Sequence, residues 1–273
     1  MQYMGGKSRI SQRISEVINL GKTIDLLCGD CLTLMKKIAD ESIDMIFADL
    51  PYGTTRNRWD TTIDLDLLWQ QYIRIIKPNG VIALWAQSPF DKTLALSNQK
   101  LYRYEWIVHK TRPTGFLNAH KMPMKAHENV LIFYKSLPTY HPQKTSGHVR
   151  KVSTAIHKRN SKVTTNYGSH KAVDYDSTDR FPIDVLTFKW DTQLSSLHAT
   201  QKPVEACEYF IRTYTNPNDV VLDNTMGVGS SGVAAIRTGR RYIGMELDAE
   251  IFEMAQQRIV HELETENESE VLS

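Results

Sequence analysis

A glycine-rich turn between a predicted strand and a predicted helix constrains the fold of this chain more than any other feature. The run Asp219–Asp223 predicts a buried strand, and Ser230–Thr238 predicts the helix that follows it. The loop Gly227–Gly232 between them has the G-x-G-x-x-G spacing of a nucleotide-binding turn, and Glu246 ends the next predicted strand, where an acid can bind ribose hydroxyls. The pattern predicts an α/β fold, a sheet with helices on both faces.

The position of Asp223 argues against a dinucleotide as the ligand. In dinucleotide-binding turns the glycines follow the strand directly and bring backbone N–H groups to a pyrophosphate. Here Asp223 ends the strand and Gly227 comes four positions later. A carboxylate at that point repels a pyrophosphate but suits an ammonium group, whereas Glu246 can bind two ribose hydroxyls in either kind of site.

The tetrapeptide Asp49-Leu-Pro-Tyr52 indicates a second binding feature. It follows the apolar run Ser42–Ala48, which predicts a buried strand, and ligands bind at the carboxyl ends of strands in open α/β sheets. The tetrapeptide supplies the carboxylate of Asp49, the carbonyl of Pro51 and the aromatic face of Tyr52. A planar base with an exocyclic amino group needs two acceptors for its N–H donors and a ring to stack on. The alternative is an ordinary strand-to-turn junction, which four residues alone do not exclude.

Three stretches together resemble the motifs of DNA amino-methyltransferases. Asp49–Tyr52 resembles their D-P-P-Y signature, with Leu50 in place of the first proline, and His198–Pro203 resembles their H-P-T-Q-K-P. Asp223–Gly232 resembles their D-P-F-x-G-x-G-T-T cofactor loop. The catalytic tetrapeptide precedes the cofactor loop, an order that matches the permuted β-order group and its phage-type adenine N6 methyltransferases. The resemblance implies a Rossmann-like S-adenosylmethionine-dependent methyltransferase sheet with helices on both faces and an inserted target-recognition segment.

The resemblance implies transfer of a methyl group from S-adenosylmethionine to N6 of adenine in DNA. Asp49 and the Pro51 carbonyl would accept the N–H bonds of the target amine, and Tyr52 would stack on the flipped base. Adenine members more often have Asp at the first motif position, and N4-cytosine members more often have Ser. An N4-cytosine methyltransferase, or a methylase of RNA or of a protein glutamine amide, is the nearest alternative. The distant alternative is a nucleic-acid-binding module with a decayed cofactor pocket, because Leu50, Asn224 and Thr225 depart from the family pattern.

Acids and glycines at the strand ends supply the predicted cofactor site. Asp30 follows the predicted strand Ile24–Leu27, where the resemblance implies a contact with the adenine of the cofactor and where an acid also suits a helix N-cap. The predicted cofactor-binding residues are Asp30, Lys202, Asp223, Gly227, Gly229, Ser230, Ser231 and Glu246. We expect no metal, because the leaving group is a neutral thioether and the Cys28-x-x-Cys31 pair lacks the second pair of a structural zinc site.

The predicted DNA contacts are local, because the net charge of the chain is only +2. The segment 141–171 holds seven Lys or Arg, four His and no acid, which favours phosphate binding over a solvated basic loop. It is the centre of a predicted DNA-recognition insertion over about residues 136–185. Two further polar loops, 54–62 and 111–126, flank the predicted strands. The predicted DNA-binding residues in these three segments are Arg56, Arg58, Arg112, Lys121, Lys125, Lys144, Arg150, Lys151, Lys158 and Arg159.

The length of 273 residues indicates one large α/β domain, or one domain with an insertion, and the resemblance implies that this single domain, residues 1–273, is a catalytic methyltransferase domain. No apolar run reaches the length of a membrane span and no signal-peptide core is present, so we expect a cytoplasmic protein. The stretch 262–273 has five acids and no base, which predicts a disordered tail. The β-order resemblance also implies a possible homodimer, and a restriction nuclease is a possible partner.

Overall fold

The computed structural model describes residues 17–20, 23–53, 62–154, 173–189 and 201–272. The strands are β1 (Val17–Leu20), β2 (Ile24–Cys28), β3 (Ile43–Asp49), β4 (Ile76–Ala86), β5 (Tyr102–Thr114), β6 (Lys125–Phe133), β7 (Lys151–Ser153), β8 (Tyr175–Ser177), β9 (Val185–Phe188), β10 (Val220–Asp223) and β11 (Arg241–Glu246). The helices are α1 (Cys31–Met35), α2 (Leu65–Ile75), α3 (Phe90–Ser97), α4 (Val204–Tyr214), α5 (Ser230–Arg237) and α6 (Ala249–Leu272), with a 3-10 turn at Phe116–Asn118.

Nine of these strands form one mixed sheet in the order β1-β2-β11-β10-β3-β4-β6-β5-β9. The five strands from β2 to β4 in that order are parallel, and β6 runs antiparallel to both β4 and β5. From β3 the chain passes through α2 outward to β4, whereas from β10 it passes through α5 in the opposite direction to β11. The neighbours β3 and β10 therefore form a topological switch point, where open α/β sheets bind their ligands.

Two apolar clusters cover the two faces of the sheet. One joins Phe47 and Trp85 to α4, α5 and α6 through residues such as Phe210 and Phe252. The other joins Ile46 and Leu84 to α1, α2 and α3. Side chains alternate between faces along a strand, so adjacent strand residues enter different clusters. The predicted α/β fold with helices on both faces is confirmed, and the predicted strands 42–48 and 219–223 match β3 and β10 to within one or two residues.

Several predicted boundaries are wrong. The sequence Lys77-Pro-Asn-Gly80 is typical of a turn and predicts the end of the preceding helix, but the segment belongs to β4. Pro78 is tolerated there because β6 pairs with β4 only from Ile82 onward. The predicted loop 111–126 begins as an extension of β5 to Thr114. The apolar spacing of Ile14, Val17 and Ile18 predicts a weakly amphipathic helix, but Val17–Leu20 is a strand paired antiparallel with β2.

The predicted disordered tail from position 262 is also wrong, because α6 continues to Leu272. Its sequence contains no Gly or Pro beyond position 262 and is rich in Glu, a good helix former. Among the residues that the structure describes, no helix is long and apolar enough to cross a membrane.

Candidate active site

Asp49 is the last residue of β3, at the switch point of the sheet, and both of its carboxylate oxygens accept hydrogen bonds. The Tyr52 hydroxyl donates to Oδ1 at 2.6 Å. The Lys202 ammonium lies 2.8 Å from Oδ2. The carboxyl group is 30% exposed, so it is held on two sides while it remains open to a ligand. Leu50, which stands where the related motif has proline, is buried in the core beneath it, and Pro51 is half-buried between Leu50 and Tyr52.

An apolar cavity opens beside Tyr52. Its volume is about 310 Å³, and its lining residues are Tyr52, Thr62, Ile63, Leu65, Pro89, Phe90 and Thr93. The rings of Tyr52 and Phe90 are 5.0 Å apart between centroids, with 32° between their planes. Two aromatic faces at the mouth of an apolar cavity, next to a carboxylate, suit a planar base with polar edge groups.

The glycine loop lies on the neighbouring strand β10 and is shaped for close approach of a ligand. Gly227 has a left-handed φ of 53°, and a Cβ atom there would meet no described atom within 4 Å. At Gly229 a Cβ would come within 2.9 Å of Ile259, because α6 packs against the loop. Gly227 therefore leaves room for a bound group, whereas Gly229 is required for helix packing.

Glu246 is the last residue of β11, and Asp30 follows the end of the adjacent strand β2. One Glu246 oxygen accepts from the backbone N–H of Gly227 at 3.0 Å, and the other accepts from that of Asp248 at 2.9 Å. Burial raises the pKa of Glu246, although its backbone donors act in the opposite direction. Asp30 accepts from the backbone N–H of Thr33 at 2.8 Å and so caps α1, as the sequence also allowed. Both acids therefore lie at the carboxyl ends of adjacent strands, and Glu246 contacts the glycine loop directly.

Asp223 is buried at the end of β10, and the loop surrounds its carboxyl group. Ser231 donates to one oxygen at 2.5 Å, and the backbone N–H of Thr225 donates to the other at 3.0 Å. Burial raises the pKa of Asp223 to about 7, with a smaller contribution from the negative charges of Asp49 and Glu246. An ammonium at this carboxylate would stabilise its charged form. Ser231 also meets the Tyr242 hydroxyl at 2.9 Å, so this predicted cofactor residue is engaged within the protein.

Asn224 and Thr225 connect the glycine loop to the rest of the site. The Tyr72 hydroxyl, on α2, donates to Asn224 Oδ1 at 2.5 Å. The Thr225 hydroxyl donates to the backbone carbonyl of Asp49 at 3.1 Å. Asn224 and Thr225, two of the three residues that depart from the family pattern, therefore join the glycine loop to α2 and to β3. Ser230 is likewise engaged, since it accepts from Arg258 at 3.1 Å.

Lys202 lies at the Asp49 carboxylate, although the sequence analysis placed it among the predicted cofactor-binding residues. Its ammonium lies 2.8 Å from Asp49 and 2.9 Å from Glu128, and it lies over the Trp85 ring, 5.3 Å from the centroid. Glu128 in turn pairs with Lys110 at 2.6 Å. Sequence reasoning missed Glu128 and Lys110. A charged residue inside each of two apolar strand patterns was the available signal, because strand charges are rarely buried without a partner.

The predicted DNA-binding residues that the structure describes are all exposed: Arg112, Lys121, Lys125, Lys144, Arg150 and Lys151. Three of them also contact other parts of the protein. Lys125 donates to Gln87 and to the Ser88 carbonyl, and Lys144 lies 4.6 Å from the Phe181 ring centroid. Arg150 forms a two-point ion pair with Asp176, at 2.7 and 2.5 Å, because β7 and β8 pair as an antiparallel hairpin. Its charge is already matched, so the prediction of a phosphate contact is weakest there. Four of the predicted DNA-binding residues lie outside the described residues: Arg56, Arg58, Lys158 and Arg159. The first half of the motif His198–Pro203, residues 198–200, also lies outside them.

The described residues contain no group of three or more His, Cys, Asp or Glu side chains arranged to hold a metal ion. The three cysteines, Cys28, Cys31 and Cys207, are thiols and form no disulfide. Burial raises the pKa of the Cys31 thiol.

Comparison with known proteins relates this geometry to one family. The family model for DNA methylases of the N6 and N4 amino-methyltransferase type matches residues 43–257. The chain is 27% identical to the Type II methyltransferase M.HinfI of Haemophilus influenzae, over 91% of this chain and 71% of that protein. It is 25% identical to the DNA adenine methyltransferase YhdJ of Escherichia coli K12, over 88% of this chain and 83% of that protein.

Solved structures share the fold. The M1.HpyAVI–SAM complex superposes with a TM-score of 0.60 at 21% identity, over 86% of this chain and 98% of that chain. The PvuII DNA methyltransferase, which is cytosine-N4-specific, has a TM-score of 0.59 at 15% identity, over 89% and 92%. The family match spans well over half of the residues and includes the tetrapeptide at Asp49 and the glycine loop. The chain therefore belongs to the DNA methylase family that contains the N6-adenine and N4-cytosine amino-methyltransferases.

Proposed function

We propose that this protein methylates N6 of adenine in DNA, with Asp49 as the acceptor of the target amine and S-adenosylmethionine as the methyl donor. Family membership makes it a DNA methyltransferase that uses S-adenosylmethionine. The adenine assignment is the further step and rests on the two observations given below. The observation that carries the transfer to an exocyclic amine is the Asp49 carboxylate, held at the carboxyl end of β3 by Tyr52 and Lys202 and joined through Thr225 to the glycine loop.

The residues around the loop fit S-adenosylmethionine. Gly227 offers space above a backbone without a side chain, and Glu246 offers carboxylate oxygens for ribose hydroxyls. Asp223 offers a buried carboxylate that gains from a neighbouring ammonium. When bound, the cofactor supplies an electrophilic methyl group on a sulfonium, and the leaving thioether is neutral.

Asp49 acts on the target nitrogen. The lone pair of an exocyclic amine is delocalised into the ring, so the nitrogen must rehybridise to attack a methyl group. A carboxylate that accepts its N–H bonds favours that change and stabilises the positive charge that develops on nitrogen. The proton then leaves the methylated amine for solvent. Tyr52 and Phe90 would hold the base in the apolar cavity, where stacking on an aromatic ring contributes about 1–3 kcal/mol per base.

Adenine is favoured over cytosine by two observations. Asp at position 49 agrees with the adenine members of the family, since N4-cytosine members more often have Ser there. The relative YhdJ, named as a DNA adenine methyltransferase, matches over most of both chains. Asp49 alone does not separate the two bases, because each exocyclic amine presents two N–H donors.

Mass spectrometry of the product tests the proposal. DNA methylated by the purified protein is digested to nucleosides, and N6-methyladenine is expected. N4-methylcytosine in its place would overturn the adenine assignment and leave the methyltransferase reaction intact. The variant Asp49→Asn keeps the shape of the side chain, and we expect it to bind S-adenosylmethionine with unchanged affinity and to lose transfer by at least about 100-fold, as for loss of a transition-state acceptor. Full activity in Asp49→Asn would contradict the mechanism.

The matched control is Asp44→Asn, at the opposite end of β3. Asp44 pairs with Lys77 at 2.7 Å and accepts from the backbone N–H of Val220 at 2.9 Å, so the substitution perturbs the same strand and a similar set of contacts. We expect lower stability and unchanged transfer. A homodimer and a restriction nuclease partner stay predictions, and sedimentation velocity at several protein concentrations tests the first of them.

A further inference from the structure

A row of four buried or half-buried charges crosses four neighbouring strands and ends at the catalytic carboxylate. Lys110 is on β5, Glu128 on β6 and Asp49 on β3, while Lys202 enters from the segment before α4. The three ion-pair distances along the row are 2.6, 2.9 and 2.8 Å. The charges alternate in sign, so the row is neutral as a whole.

Lys202 bridges two strands that are not neighbours. Asp49 faces Trp85 across the β3–β4 pair, and Trp85 faces Val130 across the β4–β6 pair. The ammonium reaches over the Trp85 ring to contact both Asp49 and Glu128, and its side chain is only 11% exposed. Strands two apart are separated by roughly 10 Å, so one ammonium fixes the distance between the two carboxylates.

Burial makes each member of the row depend on the next. The Glu128 side chain is 8% exposed, and its two cationic neighbours hold its pKa down at about 2 against the opposing effect of burial. Without Glu128, the Lys202 ammonium would have one fixed anion instead of two. The Lys202 side chain could then change its rotamer, and the Asp49 carboxylate would lose one of the two contacts that fix its orientation.

Stability alone does not require this arrangement. Burying four charges costs solvation, and buried ion pairs are often replaced by apolar residues with little loss of stability. The row adjoins a large apolar cluster that includes Trp106, Val108 and Val130, so apolar side chains would fit the surroundings. What the four charges add is a fixed position for the Asp49 carboxylate, which is the last member of the row.

We propose that Glu128 and Lys110 are positioning residues for methyl transfer: they hold Lys202 against Asp49, and so orient the carboxylate that accepts the target amine. This proposal rests on the role of Asp49 in the proposed function. It adds two residues on β5 and β6 that do not touch the reacting atoms, and it gives Lys202 a place on the target-base side of the site.

The test removes the outer pair together. Glu128→Gln alone leaves the buried Lys110 without its anion and risks misfolding, whereas Lys110→Met with Glu128→Gln removes one positive and one negative charge. We expect this double variant to transfer methyl groups about 10- to 100-fold more slowly in a single turnover, since a misplacement of about 1 Å costs on this order. The Kd values for DNA and for S-adenosylmethionine should stay within about twofold of wild type, because neither ligand contacts the pair.

A mutant cycle with Lys202→Met shows whether the effect passes through Lys202. If it does, removing the outer pair in the Lys202→Met background changes the single-turnover rate by less than about twofold, because coupled residues are not additive. Lys202→Arg keeps a cation between Asp49 and Glu128 and should recover most of the rate lost in Lys202→Met.

Two results would overturn the proposal. One is a double variant with lowered melting temperature and an unchanged single-turnover rate, which would make the row purely structural. The other is an equal slowing in the wild-type and Lys202→Met backgrounds, which would mean that Glu128 acts by another route. Each variant rate is divided by the wild-type rate for the same DNA, whichever base the wild type methylates. An N4-methylcytosine product would therefore refute the adenine assignment without affecting this test.

Discussion

Replacing Asp223 with Asn should stabilise the ligand-free protein at alkaline pH. The carboxyl group is buried beneath the glycine loop, and burial raises its pKa from 3.8 to about 7, with the charges of Asp49 and Glu246 acting in the same direction. Asn can keep both contacts of the carboxyl group, since its oxygen can accept from Thr225 and its amide can donate to Ser231. The substitution therefore removes mainly the buried charge.

The sign follows from the direction of the shift. The pKa of Asp223 is higher in the folded than in the unfolded protein, so folding takes up a proton between about pH 4 and pH 7. Its contribution to the free energy of unfolding is fully present below about pH 4 and is lost as the pH rises through about 7. A shift from 3.8 to about 7 corresponds to about 4 kcal/mol at 1.36 kcal/mol per pH unit. We expect Asp223→Asn to exceed the wild type by up to this amount at about pH 8, and by little below about pH 4.

Urea denaturation of both proteins across this pH range measures the difference. A second measurement uses the cofactor: its ammonium should favour the charged carboxylate, so binding near pH 7 should release a fraction of a proton. Calorimetry in buffers of different ionisation enthalpy detects that release, which should vanish in Asp223→Asn together with much of the affinity. A wild type whose stability falls no more steeply with pH than that of the variant would refute the reasoning, as would proton release that survives the substitution.

Three further outcomes test other contacts. Tyr72→Phe leaves the buried Asn224 oxygen without its donor and should lower the free energy of unfolding by about 1–3 kcal/mol in urea denaturation. Glu246→Ala should weaken S-adenosylmethionine binding by roughly 10- to 100-fold in calorimetry, as expected for hydrogen bonds to a charged group, and the melting temperature checks that the fold survives. Lys121→Ala should reduce the slope of log affinity for DNA against log salt by about 1, whereas Arg150→Ala should change it less because its charge is already paired. Equal slopes for the two variants would contradict the last expectation.

The elements that local pattern determines were predictable from the sequence. Apolar runs that end at Asp49 and Asp223 gave the correct strands, because a run of this kind and the polar turn after it are both local signals. The boundary at 77–80 has a cause that lies outside the segment: β3 pairs with β4 on both sides of these turn residues, at Ile76 and at Val81, and leaves them as an irregularity within the strand. Such pairing depends on a distant segment, which a local pattern does not record.

The parts of the site that the sequence missed are contacts between segments far apart in the chain. The donor to Asn224 is Tyr72, 152 positions away. Lys202, which contacts Asp49, is about 150 positions from it in the chain and precedes α4. Motif spacing identified Lys202 but placed it with the cofactor, because a motif records which residues are present and not which partner each one reaches. Glu128 and Lys110 belong to no motif, and only the antiparallel pairing of β5 with β6 brings them together.

Because the Thr225 hydroxyl donates to the Asp49 carbonyl, we expect ligand binding at the glycine loop and ligand binding at Asp49 to depend on each other. A ligand that orders the glycine loop would also fix the backbone from which the Asp49 carboxylate projects, and a base bound at that carboxylate would restrain the loop in return. Coupling of this kind is reciprocal, so each ligand should raise the affinity for the other by the same factor. Thr225→Val, which removes the hydroxyl and keeps the branched shape, should bring that factor towards one, and the protein would then bind its two ligands as independent events.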